Sequence, residues 1–188
     1  MKHTRARVFL IAILLAAATL SRAVSAETAE GDKGSSLPSS YRSISLGMDL
    51  ESVKSALTKD GIFGYRGDRD VSLLPFANRS LIETAGTSFI RRSWFQFLDD
   101  KLYVMIFRLD PDRLDYYSMY SSLVSKYGEP KELNPAKALW DDGTVTLTLE
   151  RPLTVKYVDS KAFQSIIDAD TTGKAASDIL REEFIREF

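Results

Sequence analysis

Apolar residues recur along this chain with two periods, and the switches between them mark its elements. Leu50, Val53, Ala56 and Leu57 fall at helical spacing, while Glu51 and Lys54 lie toward the other side. The spacing predicts a helix over 49–59, with Asp49 capping its free N–H groups and Gly61 taking the left-handed conformation that ends it. Residues 62–65 read as a short strand and 66–70 as a charged turn. Residues 71–76 read as an edge segment, because Pro75 cannot donate to a ladder. A further strand is predicted over 80–84, closed by Gly86. Residues 89–98 and 102–109 flank the turn Asp99-Asp100-Lys101. Their aromatic and β-favouring side chains make this the clearest hairpin.

The second helix is predicted to start at Asp110, with Pro111 in the first helical position, and to run to Tyr127. Its buried stripe is Tyr116, Met119, Tyr120, Leu123, Val124 and Tyr127. Gly128 ends it and Pro130 prevents continuation. Period two then returns. Residues 138–140 make a short strand, and Val145, Leu147 and Leu149 alternate with Thr144, Thr146 and Thr148, as in a strand with one wet face. A last strand carries Leu153, Val155, Tyr157 and Val158. Residues 160–188 read as a helical tail in two pieces. Phe163, Ile166 and Ile167 share a face before Gly173; Ile179, Leu180, Phe184, Ile185 and Phe188 share one after it. Helices ending at Gly61 and Gly128 echo one another, but this is too little to predict a repeat. The order predicts an α+β fold: an antiparallel sheet, hairpin plus meander, with two helices packed on one face and a C-terminal helical tail.

The first residues follow another pattern. Lys2, Arg5 and Arg7 precede the apolar run 8–20, and Val24-Ser25-Ala26 offers the small residues at which a leader is cut. The run is shorter than the roughly 20 residues a membrane-spanning helix needs. The expected organisation is a signal peptide over 1–26, a disordered linker over 27–42, an α+β domain over 43–159 and the tail over 160–188. Removing the leader leaves 21 basic and 26 acidic residues, a net charge of −5, which argues against non-specific binding to nucleic acid.

Export narrows the chemistry. The one histidine, His3, falls inside the leader, and the cysteine count is 0. An imidazole base, a thiol nucleophile, a disulfide, a His or Cys metal ligand and a lipid-modified cysteine are all excluded from the mature chain. At 44% hydrophobic residues the mature chain can build a core without covalent staples.

The helix opening Leu46-Gly47-Met48-Asp49-Leu50-Glu51-Ser52-Val53 and the stretch Leu123 to Pro130, with Trp140 and 145–149 downstream, resemble two related groups. These are the BamE/SmpA proteins of the outer-membrane assembly machinery and the β-lactamase-inhibitor-like domains. The resemblance spans about 44–159. It implies a helix-on-sheet domain that binds other proteins and does not catalyse. The lipid-anchoring cysteine of the outer-membrane members is missing, and the tail is additional.

Several side-chain groups were weighed for chemistry. The pairs Asp68/Asp70, Asp99/Asp100 and Asp141/Asp142 each sit in a predicted turn, where Asp is favoured for backbone reasons. A carboxylate hydrolase would need two of them facing one cleft. Residues 168–173 resemble the opening of a calcium loop, but Ile179 stands where the bidentate carboxylate belongs. No GxSxG, SxxK, GxGxxG or Walker sequence occurs. Arg91 and Arg92 beside Trp94 suggest a surface strand with its tryptophan turned inward, and Arg66-Gly67-Asp68 an ordinary charged turn.

The expected function is a non-enzymatic periplasmic domain that binds or scaffolds another envelope or secreted protein, in cell-envelope assembly. It is expected to use no cofactor or metal, to bind no nucleic acid and to hold no stable place in the membrane after the leader is removed. Phe184, Ile185 and Phe188 are the candidate contacts, as an amphipathic helix laid into a partner's groove. The alternative is a binding module for a small ligand or cell-wall fragment, with Trp94, Tyr103, Tyr116 and Tyr117 lining its pocket. The sequence leaves periplasmic and extracellular destinations both open.

Overall fold

The computed structural model describes residues 36–74 and 78–186; the leader 1–26 lies outside the described residues. Two short strands, β1 (Ser40–Tyr41) and β2 (Ile44–Ser45), pair as a hairpin. Helix α1 (Leu50–Lys59) follows. Strands β3 (Val71–Leu73), β4 (Arg79–Thr84), β5 (Ile90–Leu98) and β6 (Lys101–Leu109) then form one antiparallel meander. Helix α2 (Tyr116–Tyr127) crosses to a second meander of β7 (Glu132–Leu133), β8 (Lys137–Asp141), β9 (Val145–Glu150) and β10 (Thr154–Asp159). Helix α3 (Ser160–Arg186) ends the described chain. The eight-stranded sheet runs β3-β4-β5-β6-β10-β9-β8-β7, so the last strand of each meander meets the other at the centre. This is the α+β architecture that the periodicities predict.

The main core lies on one face of the sheet. α1 buries Val53, Ala56 and Leu57, and α2 buries Leu123, against strand residues such as Phe95, Met105, Leu147 and Trp140. Tyr41 from the N-terminal hairpin stacks 4.6 Å from Phe107, which also meets Phe63, Phe95 and Tyr157. Offset and edge-on ring pairs of this kind add to the area they bury. Leu37 is buried too, and its N–H donates to Asp142 Oδ2 at 2.7 Å. The fold therefore begins near residue 37. The linker expected over 27–42 is too long, because a buried leucine and a core tyrosine sit in its last six residues.

The opposite face is covered only in part. The opening turns of α3 set Ala162 and Ile166 against Tyr103, Val104, Ile106 and Val158. A register shift between Gln96 and Phe97 makes a bulge on β6, which turns both Tyr103 and Val104 to this side.

Several local expectations are corrected. Gly61 does not take the left-handed conformation; Gly64 does, at φ 61°, after a single turn of tighter helix over Gly61–Phe63. That turn replaces the strand expected over 62–65, although the Ile62 and Phe63 carbonyls still accept from Thr87 and Gly86. Asp99 and Asp100 alone form the β5–β6 turn, with φ of 48° and 61°, and Lys101 already belongs to the strand. Helix α2 starts at Tyr116 and not at Asp110. The Asp110 carboxylate is taken by Arg91 at 2.9 Å, while Asp115 accepts from the Ser118 N–H at 2.8 Å and caps the helix. Helix α3 passes through Gly173 without a break, so the tail is one helix and not two.

Candidate functional site

The start of α2 carries an open aromatic cleft of about 470 Å³. Helical spacing places Tyr116 and Tyr120 one turn apart on the same side, and Tyr117 projects beyond them, 76% exposed. Leu133 of β7 and Arg151 of the β9–β10 turn close the other wall. The Arg151 guanidinium stands 4.2 Å from the centre of the Tyr116 ring, and its Nε donates to the Pro135 carbonyl at 3.0 Å. Tyr116 Oη donates to the Leu149 carbonyl at 3.3 Å. Tyr120 packs 6.2 Å from Trp140, whose Nε1 donates to the Gly128 carbonyl at 2.8 Å. The cleft is thus held by hydrogen bonds from both strand and helix ends. Its chemistry is stacking and hydrogen bonding, with one cation. Asp115 at its lip is a cap: the Ser118 hydroxyl and then the Ser118 N–H hold its carboxyl below the usual carboxylate range.

The four aromatics expected to line one pocket are split by the sheet. Tyr116 and Tyr117 belong to this cleft. Trp94 and Tyr103 lie on the opposite face, where Trp94 pairs in register with Ile106 and Tyr103 Oη donates to Gln96 Oε1 at 3.0 Å. The expectation fails because side chains alternate along β5 and the bulge turns Tyr103 outward. Tyr120, Leu133 and Arg151 complete the cleft instead. Tyr120 was legible only as a stripe residue, and no sequence signal brings a β9–β10 turn arginine to a helix start.

The acidic pairs diverge. Asp68 binds Lys54 at 2.9 Å, while Asp70 is buried and held by Arg66. Asp100 accepts from the Leu50 N–H at 3.2 Å. Asp141 binds Lys131, and Asp142 accepts from the backbone of Leu37, Thr144 and Val145. The reading of Asp70 as a solvated turn residue is therefore corrected. Arg91 pairs with Asp110 and Asp112, Arg92 with Glu83, and it is Arg108 that stands over Trp94 at 5.6 Å. Residues 168–173 lie inside α3, so they do not form the calcium loop their spacing resembles. Among the described residues no group of three or more acidic side chains is placed to hold a metal ion.

At the far end of α3, Ile185 is 59% exposed. Phe188 and the Phe184 side chain lie outside the described residues. Phe163 and Ile167, near the start of the same helix, are also exposed.

These features define a small α+β domain with two helix-led meanders. Residues 39–169 match the TP0088 domain, and the chain belongs to that family. This overturns the resemblance to the BamE/SmpA and β-lactamase-inhibitor-like groups. The motifs that carried it, a glycine before a capped helix and a helix ending in Gly-x-Pro, are helix-boundary signals that unrelated folds share. No curated protein and no solved structure matches the chain.

Proposed function

We propose that this protein is a non-enzymatic, protein-binding domain of the bacterial cell envelope, exported by its leader and reaching its partner through α3. One observation carries the reading. α3 is packed on the sheet by Ala162 and Ile166 only, yet leaves Phe163, Ile167 and Ile185 exposed. Ile167 and Ile185 are about five turns apart and share one side of the helix. Such a stripe suits the groove of a partner protein. Among the described residues no helix is long and apolar enough to cross a membrane.

The test is in-cell crosslinking of the wild-type chain beside Ile167→Asp/Ile185→Asp. A dominant protein partner lost in the double variant supports the reading. A wild-type chain without a reproducible partner, or a partner kept by the variant, removes it.

The tyrosine cleft favours a second reading, a binding module for a small ligand or cell-wall fragment stacked on Tyr116 and Tyr117. Soluble cell-wall saccharides should then bind the wild type and not Tyr117→Ala. Equal behaviour of the two proteins would discard it.

A further inference from the structure

A second cleft, of about 160 Å³, opens where the 66–70 turn meets β3 and β4, away from the tyrosines. Its walls carry Arg66, Arg69, Arg92, Asp70, Glu83 and Thr84. Charge pairing within it is incomplete. Arg66 is spent on Asp70 and Arg92 on Glu83, the latter at 2.9 Å. Arg69, exposed, has no acidic partner among the described residues. The Thr84 hydroxyl is buried and has no hydrogen-bond partner among the described residues. A buried hydroxyl left in this state costs stability unless something outside the chain satisfies it. A third observation points the same way. Arg92 sits directly opposite Arg108 across β5 and β6, and like charges so placed repel. Three arginines against two carboxylates leave the cleft one positive charge, in a mature chain whose net charge is negative.

We infer that this cleft binds a phosphate group, with Arg69 as its main cation, Arg92 and Arg108 as the flanking field, and Thr84 as the neutral donor. Guanidinium groups match phosphate oxygens in pairs, and the cleft suits one such group and not an extended ligand. The inference stands apart from the protein-binding reading, because it uses none of α3.

The test is a titration of the full chain with inorganic phosphate, followed by amide and arginine chemical shifts. Saturable shifts confined to 66–70, 83–84 and 92 are expected, with affinity falling about tenfold in Arg69→Gln. Thr84→Val should weaken binding too, while Lys161→Gln, on α3, should not. The absence of saturable shifts in the wild type would overturn the inference, as would equal affinity in Arg69→Gln and Lys161→Gln. An Arg69→Gln chain whose remaining spectrum matches the wild type keeps loss of binding separate from loss of fold. Anionic phosphatidylglycerol vesicles then identify the source. If they displace phosphate, the group belongs to a lipid headgroup; if they do not, it belongs to a soluble phosphate compound.

Discussion

The two halves of the sheet share a plan and differ in how tightly it is closed. Each half is a helix followed by four antiparallel strands, and each contributes its last strand to the centre. In the first half α1 buries three residues, and Phe63, Phe95 and Phe107 fill the space beneath it. In the second, α2 buries only Leu123 and leaves its tyrosines half-exposed or exposed. The aromatic payload is similar, but in the second half it faces outward. A helix with hydroxylated rings can be held by hydrogen bonds to strand carbonyls and still present apolar surface. Stability is concentrated in the first half, and surface available for recognition in the second.

The sharpest way to break this contrast is by truncation. Phe95→Ala in the first half should cost about 3–5 kcal/mol, while Tyr117→Ala in the second should stay within about 0.5 kcal/mol. Urea unfolding of the two variants checks it, and equal losses would erase the distinction. Leu57→Ala against Leu123→Ala is the next comparison. Both fall in the range of about 2–5 kcal/mol, with Leu57 the costlier because it is 1% exposed against 7%.

The glycines sharpen the same point. A Cβ at Gly86, φ 67°, would meet the Ile90 carbonyl oxygen at 2.4 Å, whereas one at Gly143, φ 83°, would meet nothing. Gly86→Ala should cost about 3 kcal/mol or more, and Gly143→Ala about 1 kcal/mol of left-handed strain. Thermal melts of both variants decide it.

The smallest effect is electrostatic. The Val145 N–H first, then those of Thr144 and Leu37, hold the Asp142 carboxyl below its usual range. Its contribution is therefore present above the ordinary carboxylate pKa and is lost as pH falls through the lower folded value. Asp49 and Asp115 shift in the same direction, as their helix-capping bonds require. Asp142→Asn should flatten the acid limb of melting temperature against pH and leave neutral stability largely intact. An unchanged acid limb would show that the N-terminal segment is not pinned through this group.

Much of the fold was legible because the signals were local. The alternation of Val145, Leu147 and Leu149 with threonines, the aromatic hairpin and the cap at Asp49 each name an element without help from the rest of the chain. The start of α2 was not legible, because Asp110 and Asp115 are both good caps and only the contact with Arg91 takes the first away. Gly173 reads as a break, yet a glycine costs a long helix only about 1 kcal/mol and does not end it. The candidate site fared worse. Of its residues, Tyr116 and Tyr117 were named, while Leu133 and Arg151 come from turns and edges whose position depends on the whole sheet.

The sequence by itself determined the period of each segment, most of the caps and turns, the α+β class, and the want of histidine and cysteine that narrows the chemistry. Those properties depend on residues a few positions apart. Tertiary structure alone decided that two helix-led meanders join at β6 and β10, that a bulge turns Tyr103 away from Tyr116, and that Arg151 meets a helix start. Those outcomes depend on strand order and register, which place residues far apart in the chain side by side. No local pattern encodes them, because any meander of this composition alternates in the same way.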